Sequence, residues 1–235
     1  MIIAKCPLRI SLVGGSTDLQ SFLDIYGKGS VVSFPTTLST YIAINENRCG
    51  KYRINYTKTE NVKNPNIIKN DIAREVINHF NLPPLTMTFN ADIPSTGTGL
   101  AASSSYLVAA ISAALAFLGK NLSRGEICKL ALELERKFNP LTGYQDTYGC
   151  GIGGLKRLHF NKEGKVKIEY LESNLLLDGA TLFLVPTGVQ RSSTNILSTI
   201  DSSKSLRLLD DVEKFVKCKN VEEVCSVINT TWENK

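Results

Sequence analysis

Two carboxylates, a basic residue and a glycine loop follow one another in an order that suits the transfer of an anionic group. Residues 92–106 read Asp-Ile-Pro-Ser-Thr-Gly-Thr-Gly-Leu-Ala-Ala-Ser-Ser-Ser-Tyr. The alternating run 85–89 before them reads as a strand. The Ala-rich apolar run to Gly119 after them reads as a buried helix. The loop therefore opens a helix, with Ser103, Ser104 and Ser105 in its first turn. A helix N-terminus carries unpaired N–H groups and a partial positive charge. Gly97 and Gly99 have no side chains and let the backbone come close to a ligand. Together these features suit an anion, phosphate above all. The same residues also suit a tight turn whose serines only cap the helix. No Gly-Lys-Ser/Thr follows, so this is not a Walker A loop, and the third glycine of the dinucleotide fingerprint is missing.

Phosphoryl transfer needs a phosphate cradle, a cation, and a carboxylate to place the nucleophile. Glu135 closes a helix that opens at Ser123 and Glu126, a capping-box pair. It suits Mg²⁺, which takes hard oxygens and few protein ligands, and a serine at the start of the cradle helix could share the ion. Asp146 follows Gln145 within 142–154, which reads as a second glycine-bearing loop where a backbone can approach a substrate. Arg9 projects from the first β segment, and Asp18 ends the loop Gly14-Gly15-Ser16-Thr17. Each also has an ordinary role: helix charge for Glu135, turn residue for Asp146, solvated strand face for Arg9, helix cap for Asp18.

The elements that must position these residues are legible in outline. Residues 2–13 are β-like with Pro7 interrupting, either two short strands or one bent one. Residues 19–26 read as a short helix stopped by Gly27. Residues 30–34, 41–45 and 52–57 read as three strands, and 60–66 as a polar loop. Ile68, Ile72, Val76 and Phe80 recur every four residues, so 67–80 reads as an amphipathic helix. Residues 155–160 and 166–171 read as a hairpin. The run 181–185 reads as an apolar strand buried on both faces, and 192–200, 206–216 and 221–230 as helices.

Composition narrows the class. A chain of 235 residues with 43% apolar and 21% charged residues can bury a real core. The net charge of +5 is spread thinly, which suits an anionic small molecule and gives no basic stripe for nucleic acid. The six cysteines show no CxxC pair, so reduced cytosolic thiols are expected rather than disulfides or zinc. No leader pattern stands at the N-terminus, and the longest apolar run is too short for a bilayer. A cytoplasmic chain without a membrane partner is expected.

Three stretches carry a family resemblance: Arg9 to Asp18 (RISLVGGSTD), Ile93 to Tyr106 (IPSTGTGLAASSSY) and Leu134 to Gly154 (LERKFNPLTGYQDTYGCGIGG). In this order and spacing they resemble the GHMP kinases. Within that superfamily the VGG-x-TD loop, the serine run and the Gln145-Asp146 motif look most like the D-glycero-D-manno-heptose 7-phosphate kinases. Thr187-Gly-Val-Gln-Arg191 and Trp232-Glu233 look like further landmarks. The resemblance implies an α/β (α+β) fold. A domain like ribosomal protein S5 domain 2 would span 1–178, and an incomplete ferredoxin-like domain 179–235. It implies ATP and Mg²⁺, with a sugar phosphate as the acceptor.

Residue by residue, the resemblance implies Asp146 as the residue that orients or deprotonates the sugar hydroxyl, with Arg9 beside it. Pro94, Gly97, Gly99, Leu100, Ala101, Ala102, Ser103 and Ser104 would line the nucleotide phosphates. Ser103 and Glu135 would hold the metal. Gly15, Thr17 and Asp18 would meet the sugar, and Arg191 the substrate's own phosphate. Two departures stand out. The family's usual Gly-Leu-Gly-Ser-Ser is here Gly99-Leu-Ala-Ala-Ser103, and no third glycine-rich motif follows. They leave a non-catalytic nucleotide or sugar-phosphate binder as the rival reading. They also raise an expectation of weak activity, with self-association or a complementing chain covering the strand at 181–185.

Overall fold

The computed structural model describes residues 1–94, 98–172, 181–185 and 206–233. One mixed seven-stranded sheet organises them, in the order β4-β3-β5-β2-β6-β7, with β1 paired to β2. β1 (Ile2–Val13) and β2 (Lys28–Glu46) form the long antiparallel spine. β5 (Leu85–Ala91) pairs with β2 from Thr40 to Glu46, and β6 (Lys156–Asn161) pairs with it from Lys28 to Ser33. β3 (Tyr52–Asn55) lies parallel to β5 and antiparallel to β4 (Thr59–Val62), while β7 (Val166–Tyr170) closes the expected hairpin with β6.

Residues 30–34 and 41–45 are not separate strands but parts of the continuous β2. Pro35 is tolerated inside it because it falls between the β5-paired and β6-paired stretches, beside the irregularity in the β1 register. β1 is likewise one bent strand. Its register shifts between Pro7 and Arg9, so Leu8 and Arg9 are both buried although they are neighbours. A bulge that re-aims a side chain in this way breaks the period-2 pattern. The stretch 60–66 is not simply a loop, since its first residues complete β4.

The helices cover the sheet. α1 (Gln20–Tyr26) ends at Gly27 in the left-handed region, as expected. α2 (Asp71–Phe80) begins later than the apolar period suggests, because the Asn70 side chain caps Ala73 N–H and a 3₁₀ turn, Pro65–Ile67, precedes it. α3 (Ala102–Phe117) is the Ala-rich helix, buried along most of its length. α4 (Arg124–Glu135) starts in the Ser123–Glu126 capping box. The supposed glycine loop 142–154 holds a helix, α5 (Gln145–Gly151), with Asp146 in its first turn. α6 (Arg207–Val216) and α7 (Val221–Glu233) match the last two expected helices. Val212 and Phe215 of α6 pack with Val13 and Val32 of the spine.

The run 181–185 is not a strand and is not buried. It forms no ladder with any described residue, and Leu182, Phe183, Leu184 and Val185 are 55%, 83%, 54% and 74% exposed. An apolar run becomes a buried strand only where a sheet edge accepts its backbone groups, and no described strand pairs with this one. The expected helix 192–200 lies outside the described residues. No described helix is long and apolar enough to cross a membrane, and all six cysteines are free.

Candidate active site

The bulge in β1 aims Arg9 into the junction of α3, α5 and the loop before α3. Arg9 is 8% exposed. Its Nε and Nη2 both donate to Asp146 Oδ1, at 3.1 and 2.6 Å, and its Nη1 donates to the Gly99 carbonyl at 3.0 Å. The backbone reinforces this contact, since Arg9 N–H donates to the Leu100 carbonyl at 3.2 Å. Leu100 in turn packs with Leu8 and Ala102, which seats the loop on the spine. Burial alone would lower the guanidinium's pKa, but the Asp146 carboxylate outweighs it and holds Arg9 above its ordinary value. The solvated strand face is thus excluded for Arg9.

Gly99 has φ +73° and nothing within 4 Å of an added Cβ, so its role is conformational rather than spatial. Ala101, at φ +59°, also sits in the left-handed region, immediately before α3. Pro94 lies at the end of the first described stretch, and Gly97 lies outside the described residues.

Asp18 is fully buried. Its Oδ2 accepts from Gln145 N–H at 2.9 Å and its Oδ1 from Ser16 N–H at 3.2 Å. Gly143 makes room for it, because a Cβ there would lie 2.1 Å from Oδ2. Burial raises the Asp18 carboxyl to about 6; its bond from Gln145 opposes the shift and the charge of Asp146 adds to it. Gly15 is buried in the same loop. Thr17 is buried with its hydroxyl engaged by Gly14 and Ser30, donating to their carbonyls at 2.8 and 2.9 Å and accepting from Ser30 N–H at 3.0 Å. It holds the loop's shape.

Glu135 is 3% exposed at the end of α4, which excludes a solvated helix charge. Ser104 Oγ donates to its Oε2 at 2.6 Å. Burial raises the carboxyl to about 7, opposed by the Ser104 and Ser103 hydroxyls and reinforced by Asp146. The family motif points to Ser103 as the metal-sharing serine. Here Ser103 is exposed in the first turn, while Ser104 makes the close bond. Ser105 turns away, donating to the Cys6 carbonyl and meeting Thr40 Oγ1.

The fold thus gathers Arg9, Asp18, Glu135, Asp146, Ser103 and Ser104 into one region. Arg191 lies outside the described residues. Sequence reasoning missed Lys156, which is fully buried and donates to the carbonyls of Gly149 and Gly154. Its only signal was the alternation that puts it on one strand face with Leu158 and Phe160. A cavity of about 550 Å³ lined by Lys28, Arg157, His159 and Glu213 includes none of the candidate residues.

Residues 66–154, which contain the loop, α3, α4 and Asp146, match the family described as GHMP kinases N terminal domain. Over that stretch the chain resembles the N-terminal domain of the GHMP kinases. It is 29% identical over 184 residues to D-glycero-alpha-D-manno-heptose 7-phosphate kinase of Campylobacter jejuni, covering 72% of this chain and 54% of that protein. It is 27% identical over 231 residues to mevalonate kinase of Saccharolobus solfataricus, covering 92% of this chain and 65% of that one. The chain therefore spans less than two thirds of either curated relative. A crystal structure of a D-glycero-D-manno-heptose 1-phosphate kinase from Bacteroides thetaiotaomicron superposes over the whole chain and 79% of its own, with a TM-score of 0.70 at 22% identity. That likeness establishes the mixed α/β GHMP kinase fold.

Proposed function

We propose that the chain is the phosphoryl-transfer part of an ATP-dependent sugar kinase. Its acceptor would be a hydroxyl of a sugar phosphate, with the anomeric hydroxyl of a heptose 7-phosphate as the first candidate. Residues 1–178 form the catalytic domain in this reading, and 179–235 the start of a second. The observation that carries it is the Arg9 guanidinium, which bonds Asp146 on one side and the glycine loop at Gly99 on the other. One cation then spans the acceptor carboxylate and the donor's phosphate cradle, where charge builds up during transfer.

Both Arg9 bonds fall on Asp146 Oδ1, and the Asp146 side chain is 31% exposed. A sugar hydroxyl would give its proton to the other oxygen, Oδ2. As that proton leaves, the hydroxyl oxygen bonds the γ-phosphorus of ATP and the bond from phosphorus to the leaving oxygen of ADP breaks. Asp18, seated beside α5 by its bond from Gln145 N–H and by Gly143, would hold the sugar by its hydroxyls in this reading. A Mg²⁺ ion fits Glu135, whose carboxylate stands with Ser104 at the N-terminus of α3. One carboxylate and a hydroxyl suit an ion that keeps waters and phosphate oxygens as its remaining ligands. When bound, it would offset the charge of the phosphates.

A panel of phosphorylated and unphosphorylated sugars, incubated with ATP and followed by phosphorus NMR, tests the reading. ADP and a new sugar phosphate are expected with a heptose 7-phosphate. ATP binding without turnover on any acceptor would favour the non-catalytic binder, which Ala101 and Ala102 in the cradle support. Equal efficiency with unphosphorylated sugars would reject the phosphate-bearing substrate and the Arg191 assignment.

A further inference from the structure

α5 is seven residues long and carries two glycines, Gly149 and Gly151. A helix this short does not hold itself together, because nucleation costs more than its few bonds return. Its N-terminal end is tied by side chains: Asp146 to Arg9, Gln145 N–H to Asp18, and Gln145 Oε1 to the Ser11 hydroxyl. At the other end its last backbone bond runs from Ile152 N–H to the Tyr148 carbonyl. The Gly149 carbonyl lies beyond that bond and would be an orphan acceptor.

Lys156 takes it. The ammonium donates to the Gly149 carbonyl at 3.1 Å and to the Gly154 carbonyl at 3.4 Å, joining the end of α5 to the turn into β6. The same glycine faces Arg9 with its α-carbon. A Cβ at 149 would come within 3.0 and 3.1 Å of Arg9 Cγ and Cδ. The Gly149 peptide therefore carries the Arg9 stem on one side and the Lys156 ammonium on its oxygen. The Lys156 side chain is fully buried, and no carboxylate among the described residues bonds it. An unpaired ammonium is expensive to bury, and an apolar side chain would fill the same space without that cost. Burial draws its pKa down to about 8, with the Cys150 and Cys128 thiols opposing the shift.

We propose that Lys156 is a positioning residue for the Arg9–Asp146 pair, an assignment that rests on the kinase reading of that pair. It fixes the Gly149 peptide, and through it both the stem of Arg9 and the helix that bears Asp146. It touches no reacting atom itself.

The test is proton exchange at Arg9 Nε, read by NMR on the ¹⁵N-labelled chain and assigned by its loss in Arg9→Lys. Three variants are compared with wild type: Lys156→Met, which removes the donor, Lys156→Gln, which keeps one, and Met87→Ala, a core substitution on β5 outside the site. Slow exchange is expected in wild type and Met87→Ala. Exchange about ten times faster is expected in Lys156→Met, with Lys156→Gln between. Unchanged exchange in Lys156→Met, or an equal rise in Met87→Ala, would overturn the proposal. So would the failure of both Lys156 variants to fold while Met87→Ala folds, since the lysine would then hold the sheet and not the helix. Turnover gives a second reading: kcat is expected to fall about tenfold in Lys156→Met with KM within twofold, and a raised KM at unchanged kcat counts against it. If wild type transfers phosphate to no acceptor, the kinase reading fails while the exchange result still decides whether Lys156 sets the pair.

Discussion

Arg9 directs two of its nitrogens at a single oxygen of Asp146, 137 residues away in the chain. The contact divides the carboxylate into an oxygen held by Arg9 and one that bonds no other described residue. Asp146→Asn should therefore lower kcat by about 10²–10⁴-fold, the usual scale for a positioned acid–base group, with little change in nucleotide affinity. Arg9→Lys should also lose most activity, because an ammonium cannot reproduce the guanidinium fork that reaches Asp146 and Gly99 together. Steady-state kinetics on both variants checks this. Near wild-type turnover in the Asn variant would remove Asp146 from the chemistry.

Ser104 donates to Glu135 at 2.6 Å and is buried, whereas Ser103 is exposed. Ser104→Ala and Glu135→Gln should each raise the Mg²⁺ concentration needed for half-maximal activity, and Ser103→Ala should do so less. Mg²⁺ titrations of turnover make the comparison. If Ser103→Ala has the larger effect, the family motif rather than the observed bond identifies the ligand.

Ala101 holds a left-handed conformation at φ +59°. A residue with a Cβ gives up roughly 1–2 kcal/mol there, while glycine's extra freedom in the unfolded chain returns about 0.5–1 kcal/mol. Ala101→Gly should thus stabilise the fold by up to about 1 kcal/mol. For a chain of this size that is a rise in Tm of about 2–4 °C by calorimetry. A lower Tm would show that the methyl packs well enough to offset its strain.

The buried carboxyls set a pH dependence with an unusual sign. Asp18 moves from 3.8 to about 6 and Glu135 from 4.5 to about 7, each chiefly through burial. The folded chain then binds protons more tightly than the unfolded one across this window. By linkage, stability falls as pH rises from about 4 to about 7, by on the order of 3 kcal/mol for Asp18 alone. Urea unfolding across this range, with chelator present, should show the decline. Asp18→Asn should flatten it between pH 4 and 6, and an unchanged slope would assign the dependence to other groups.

Much of the site was legible in the sequence because its signals are local. The serine run and the capping box depend on backbone conformation and near-neighbour bonds, and they fall where the residue types indicate. So do α1, α6, α7 and the hairpin of β6 and β7. The family motifs likewise named Arg9, Asp18, Glu135 and Asp146 without coordinates. What they could not convey is contact. The bulge after Pro7 that buries Arg9, the bond from Ser104 to Glu135, and the tie from Lys156 to Gly149 all join residues distant in the chain. Residues 181–185 illustrate the converse. Composition alone makes them a buried strand, but whether an apolar run is buried depends on its pairing with the rest of the sheet. Sequence determined which groups were available and how each short stretch would fold; only the tertiary structure decided which met, because burial and pairing are properties of the assembled sheet and helices rather than of any one segment.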